Sequence, residues 1–200
     1  EFTGLIAGGI ILKYDPTVIR AVDALPTSML SGAYWKANTQ RAGEIRFAFA
    51  AAEPIKGAGN LLTVEFEPLD NTVGMESPII LETVQFAESN SIRTIDGRIV
   101  ILPEKSMLMQ NYPNPFNPET WIPYQLAEDS PVEISIYNVK GELVRTLNLG
   151  HQSAGVYVDR SKAAYWDGRD NLGEKVANGV YFYRLQAGNF SSVRKLAVLK

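Results

Sequence analysis

Apolar and polar residues alternate along this chain in short runs, and no stretch repeats at a helical period. In residues 44–50 (EIRFAFA), Ile45, Phe47 and Phe49 share one face while Glu44, Arg46, Ala48 and Ala50 share the other, the two-residue period of a half-buried strand. Residues 5–14, 18–25, 60–66, 78–86 and 98–102 form further β-prone runs, each bounded by Gly, Pro, Asn or Asp. Asp15-Pro16 closes the first of them, and Gly8-Gly9 within it predicts a bulge. Later, residues 120–126 carry Pro123, which places that strand at an edge or bulge. Residues 132–139 set Val132, Ile134 and Ile136 against Glu133, Ser135 and Tyr137, turn at Lys140-Gly141, and return as 142–147. Residues 179–186 and 192–199 flank Ala187-Gly188-Asn189 as a closing hairpin. Short strands spaced by turns, without helices, predict an all-β chain of two sandwiches in tandem.

The stretch 111–118 (NYPNPFNP) divides the two, with three prolines and three asparagines in eight residues. Each proline fixes its own φ and pushes the preceding residue out of the helical region, so this segment must be extended or turning. Asparagine tolerates turn conformations and bonds nearby backbone, and Tyr112 and Phe116 supply something to bury. The expected organisation is a domain over 1–103, a link over 104–110, and a smaller domain over 111–200 that begins with this stiff element.

Composition narrows the partners. Of 200 residues, 46% are hydrophobic and 20% charged, as in a globular protein, and no apolar run is long enough to cross a bilayer. A net charge of −3 with both signs scattered offers no basic face for nucleic acid and no polybasic patch for anionic lipid. The absence of cysteine excludes disulfides, thiolate nucleophiles and Cys-ligated zinc. The chain opens mid-pattern at Glu1-Phe2-Thr3-Gly4, so a longer precursor is expected.

Candidate chemistry is sparse. The one histidine, His151, sits in a polar stretch with no evident orienting carboxylate or nucleophile, and reads as a solvated loop residue. No G-x-S-x-G elbow, H-E-x-x-H pair or phosphate loop occurs, so no catalytic residue is assigned. Asp167, Asp170, Asn171 and Glu174 gather oxygen ligands in a Gly-containing loop that would suit calcium; the same residues are ordinary hairpin-turn chemistry, and the spacing is not that of an EF-hand. No other cofactor is expected. Among the aromatics, Tyr34 and Trp35 are expected in a loop, where they could stack on a sugar. Tyr157, Tyr165, Trp166, Tyr181, Phe182 and Tyr183 read mainly as packing.

Two resemblances add to this reading. The segments GGIILKYDPTVIRAVDA, GEIRFAFA, GAGNLLTVEFEPL and DGRIVILP resemble a cohesin-type jelly-roll sandwich across residues 1–103. That resemblance implies capture of a protein partner of the dockerin kind, and a further strand ahead of residues 5–14. A sandwich without it would expose unpaired backbone beside an apolar groove, so an upstream or neighbouring strand is expected to complete it beside residues 5–14. The segments NYPNPFNPET, VEISIYNVKGELVRTL, WDGRDNLGEKVANGVYFYRLQAG and VRKLAVLK resemble the Ig-like domain shared by flagellar hook-capping proteins and the type A sorting domain of the type IX secretion system, over 111–200. In that family's pattern Pro113, Asn114, Pro115, Phe116 and Asn117 match the opening motif, Gly179 and Tyr181 the G-V/I-Y strand, and Lys195 to Lys200 the basic-apolar end. The resemblance implies recognition by a type IX translocon and delivery to the medium or the bacterial cell surface. The expected function is therefore a non-catalytic secreted or surface binding protein; the alternative is a carbohydrate-binding accessory module of a secreted polysaccharide-degrading enzyme.

Overall fold

In the computed structural model the described residues are 2–87 and 94–199, and the chain divides into two compact units, Glu1–Ile101 and Leu102–Lys200. Both are β-sandwiches, and the described residues are all-β apart from one 3-10 turn at Ser28–Leu30.

The first unit contains β1 (Phe2–Lys13), β2 (Ile19–Pro26), β3 (Tyr34–Asn38), β4 (Glu44–Gly57), β5 (Leu62–Pro68), β6 (Glu76–Phe86) and β7 (Gly97–Val100). A five-stranded sheet in the order β3-β4-β1-β6-β7 faces a two-stranded sheet of β2 and β5, with all pairs antiparallel. The alternation in EIRFAFA emerges as expected: Ile45, Phe47 and Phe49 are buried, while Arg46, Ala48 and Ala50 are exposed.

Two expectations for β1 need correction. Gly8 and Gly9 are not a bulge, because the register with β4 runs unbroken from Ala7↔Ala50 to Gly9↔Ala48. The irregularities fall at Thr3/Leu5 and Leu5/Ala7 against β4 and at Ile11/Leu12 against β6. Gly8 is there for space, since a Cβ would lie 2.4 Å from the Phe86 ring and 2.7 Å from Phe49. Nor has β1 a free side for an added strand along Gly8–Lys13, where β4 and β6 flank it. Among the described residues of this unit the five-stranded sheet ends at β3 and β7, and β2 and β5 each leave one edge unpaired. Two strands roof only part of a five-stranded floor, and the inward Val64, Phe66, Ile79, Leu81, Ile99 and Ile101 stay partly exposed.

The second unit contains β8 (Met107–Leu108), β9 (Thr120–Ile122), β10 (Tyr124–Leu126), β11 (Ser130–Asn138), β12 (Leu143–Gln152), β13 (Gly155–Tyr157), β14 (Ala164–Trp166), β15 (Gly179–Ala187) and β16 (Phe190–Val198). A four-stranded sheet β12-β11-β15-β16 packs against two smaller ones, β13-β10-β8 and β14-β9. Here the core closes fully, with Ile134, Ile136, Tyr183, Leu185, Leu126 and Ile122 all inaccessible to solvent. The segment expected as a link is partly built in: β8 pairs with β10, and Leu108 is buried. Pro123 marks a change of sheet, because β9 pairs with β14 while β10 pairs with β13 and β8. A proline lacks the donor that a continuous ladder would require there. The Lys140-Gly141 turn forms as read, with Gly141 at φ 78° and the Asn138 side chain accepting from the N–H groups of Lys140 and Glu142.

Candidate functional site

The outward face of the five-stranded sheet in the first unit is the broadest candidate surface. Cross-strand register places Tyr34, Ala50 and Ala7 in one row; Lys36, Ala48, Gly9 and Gln85 in the next; and Asn38, Arg46, Ile11 and Thr83 in a third. Alanine and glycine at the middle of the first two rows leave the backbone uncovered. The result is a hollow of about 360 Å³ whose lining includes Gly9, Ile11, Lys36, Asn38, Arg46 and Thr83. At one side of it Tyr34 stands 85% exposed.

An ionic hub braces a fourth row, in which Lys13 on β1 pairs with Glu44 on β4. The Glu44 side chain is only 3% exposed, and it accepts from Lys13 Nζ at 2.5 Å, Arg46 Nε at 2.6 Å and Arg41 at 3.3 Å. Lys13 also lies 3.6 Å from Glu82. The hydrogen bonds from Lys13 and then Arg46 pull the Glu44 carboxyl down to about 2 against the opposing effect of burial, and the bond to Glu44 raises Lys13. Sequence reading missed this hub. Arg46 and Arg41 are near in sequence, but Lys13 arrives only through the pairing of β1 with β4.

Tyr34 and Trp35 lie on strand β3 rather than in a loop, and as consecutive strand residues they point to opposite faces. Trp35 turns inward and stacks on Phe47 at 6.2 Å between centroids, so the two rings do not form one platform. Tyr34 alone lies on the outward face.

In the second unit the stretch 111–118 is stitched into the sandwich. The Phe116 N–H donates to Ala197 O at 3.0 Å, the Leu199 N–H donates to Phe116 O at 3.1 Å, and Asn114 Oδ1 accepts from the Ala197 N–H at 2.9 Å. Asn111 is buried; its side chain donates to Pro113 O and Thr120 Oγ1, while its N–H donates to the Tyr183 hydroxyl at 3.0 Å. That hydroxyl in turn donates to Met109 O at 2.8 Å, and burial pushes its pKa up to about 12. Phe116 is 1% exposed, with its ring 5.2 Å from Trp166, which contacts Tyr181 at 6.1 Å. Gly168, at φ 70°, closes this contact, because a Cβ there would lie 2.8 Å from Pro118 O and 3.3 Å from the Phe116 ring.

The residues singled out from the family pattern therefore separate. Phe116, Asn114 and Tyr181 gather around β16 and Trp166, and Gly179 pairs with Val198, which bridges Phe116. Pro113, Pro115 and Asn117 are exposed on the outer side of the 111–118 stretch. Lys195 is exposed opposite Phe182, and Lys200 lies outside the described residues.

The Asp167–Glu174 loop is a hydrogen-bonded turn. Asp167 Oδ1 accepts from the Arg169 N–H, Asp170 Oδ1 from the Leu172 and Glu174 N–H groups, and Asn171 Oδ1 from the Thr146 N–H. Among the described residues no group of three or more His, Cys, Asp or Glu side chains is placed to hold a metal ion. His151 is exposed near the end of β12, opposite Pro131.

Residues 119–190 match the FlgD Ig-like domain family. No curated protein matches the chain. Among solved structures, it is similar to the sixth cohesin of scaffoldin B from Acetivibrio cellulolyticus, solved in complex with a Cel5 dockerin, at 15% identity and TM-score 0.44, covering 49% of this chain and 78% of that one. It is also similar to the cohesin CaCohA2 from Clostridium acetobutylicum, at 21% identity and TM-score 0.43, covering 50% and 74%. A third similarity, to dimeric latent PorU from Porphyromonas gingivalis, has 18% identity and TM-score 0.38 and spans 95% of this chain but 16% of that one. No helix among the described residues is long and apolar enough to cross a membrane.

Proposed function

We propose that this chain is a non-catalytic binding protein of the bacterial surface or medium, in which residues 1–103 capture a protein partner and residues 111–200 carry the export address read by a type IX translocon. The observation that carries the binding role is the outward face of the five-stranded sheet. It combines a flat, side-chain-poor floor, rim groups that donate and accept hydrogen bonds, and one highly exposed tyrosine. Tyrosine anchors beside small residues are typical of interface hot spots. The export role is supported by the match of residues 119–190 to the FlgD Ig-like family, together with the family-like motifs at 111–118 and 195–200. A partner of the dockerin kind is the reading for the first unit. Completion by a donor strand is its sharper variant, and the open edge of β5 beside partly exposed core residues supports it. The alternative, an accessory module that binds polysaccharide, draws on the exposure of Tyr34.

The test is to express the full chain in a bacterium with and without a functional type IX translocon and to follow its appearance on the surface or in the medium. Translocon-dependent appearance is expected; equal appearance in both strains overturns the export assignment. For the binding role, the wild-type chain and Tyr34→Ala are used as baits for secreted proteins of the same bacterium. A partner retained by the wild type and lost at least tenfold by Tyr34→Ala is expected, and identical retention by both overturns the assigned face.

A further inference from the structure

The small β9–β14 sheet in the second unit has one fully enclosed face, made by Thr120, Ile122, Ala164 and Trp166. Its other face is unusual for a surface. Register sets Trp121 beside Tyr165, and the bridged Tyr112 extends the row on the far side of Trp121. Ring centroids are 6.3 Å apart for Tyr112–Trp121, with planes 22° apart, and 5.7 Å apart for Trp121–Tyr165. Outward positions on β11 that reach solvent, by comparison, are Glu133 and Tyr137. The row is held rigidly: the Tyr112 hydroxyl donates to Val158 O at 2.6 Å, and the Arg160 guanidinium sits 4.2 Å from the Trp121 ring centre. The Tyr165 hydroxyl donates to Glu119 at 2.8 Å, and Tyr165 is 48% exposed. The bond to Glu119, then burial and the charges of Glu119 and Asp167, raise the pKa of that phenol.

We propose that the Tyr112–Trp121–Tyr165 strip binds a neutral oligosaccharide. A pyranose ring offers an apolar C–H face that packs on aromatic rings, while hydroxyls at its edge both donate and accept hydrogen bonds. Arg160, whose guanidinium lies over the Trp121 ring, supplies donors within the strip, and Glu119 beside the Tyr165 hydroxyl supplies an acceptor. Arg160 is balanced by Glu119 and Asp167 is paired with Arg169 at 3.7 Å, which leaves no net positive field to hold an anionic polymer. The site is independent of the function proposed above: it lies in the other unit from Tyr34 and needs neither a protein partner nor the export route.

The test is affinity electrophoresis of the full chain in gels containing hydroxyethylcellulose, xylan, laminarin, mannan or, as an anionic control, polygalacturonate. At least one neutral glycan should retard the protein. Tyr165→Ala should weaken that binding at least tenfold while leaving the melting temperature within a few degrees, because this ring is half exposed. Trp121→Ala should abolish binding, and Tyr34→Ala should leave it unchanged. No retardation by any neutral glycan, equal retardation of Tyr165→Ala, or stronger retardation by polygalacturonate would each overturn the proposal.

Discussion

Gly8 and Gly9 are adjacent in one strand, and the structure assigns them opposite tolerances. A Cβ on Gly8 points into the core, 2.4 Å from Phe86 Cδ1 and 2.7 Å from Phe49 Cε1, and both rings must move. A Cβ on Gly9 points outward, and its nearest atom is Phe47 O at 3.9 Å. Replacing glycine by alanine in a strand gains roughly 0.5–1 kcal/mol from the unfolded chain, and this term is common to both sites. Overpacking at Gly8 costs about 1–3 kcal/mol, so the difference between Gly8→Ala and Gly9→Ala should be of that size, with Gly8→Ala the less stable. Scanning calorimetry of the full chain is the assay, with the transition of the second unit as internal reference. For a unit of about 100 residues, each kcal/mol moves the midpoint by roughly 4–8 °C. Gly8→Ala should therefore melt at least about 4 °C below Gly9→Ala in the first unit only. Midpoints within about 2 °C of each other would refute the packing argument.

Other outcomes follow from the same geometry. Phe116→Ala should destabilise the second unit by roughly 3–5 kcal/mol in urea unfolding; a loss below about 1 kcal/mol would mean that the ring does not close the sandwich. Tyr183→Phe strands the buried Asn111 N–H and should cost about 1–3 kcal/mol, with a change within error refuting the bond. Because burial raises Tyr183 from 10.0 to about 12, its stabilising effect is intact below pH 10 and lost as pH climbs through 12; a pH series of melting temperatures should show the second unit falling in that window. Glu44 has the opposite sign: its contribution is present above pH 4.5 and lost as pH falls through about 2, and Glu44→Gln should remove that acid dependence from the first unit. Calcium titration should leave both melting transitions where they are, since the Asp167–Glu174 oxygens serve backbone N–H groups.

The strands of this protein were legible because one face of each is buried. Alternation in EIRFAFA and VEISIYN reports that face directly, and the Asn/Pro stretch excludes helix by local sterics alone. Short pieces such as β8, β13 and β14 were not legible, because two or three residues carry too little periodicity to separate a strand from a loop. Tyr34 and Trp35 were read as a loop for the same reason, and their opposite orientations became clear only from the pairing of β3 with β4.

Local residue chemistry thus determined the all-β class, the turns and the two-part division, since each depends on neighbours a few positions apart. Tertiary structure decided what faces what. Pairing β1 with β4 brings Lys13 to Glu44 across 31 residues, and pairing β9 with β14 brings Trp121 to Tyr165. The fold of the second unit carries Phe116 to Val198 and Gly168. Such contacts depend on strand order and register, which no local pattern encodes, and every candidate surface in this protein is built from them.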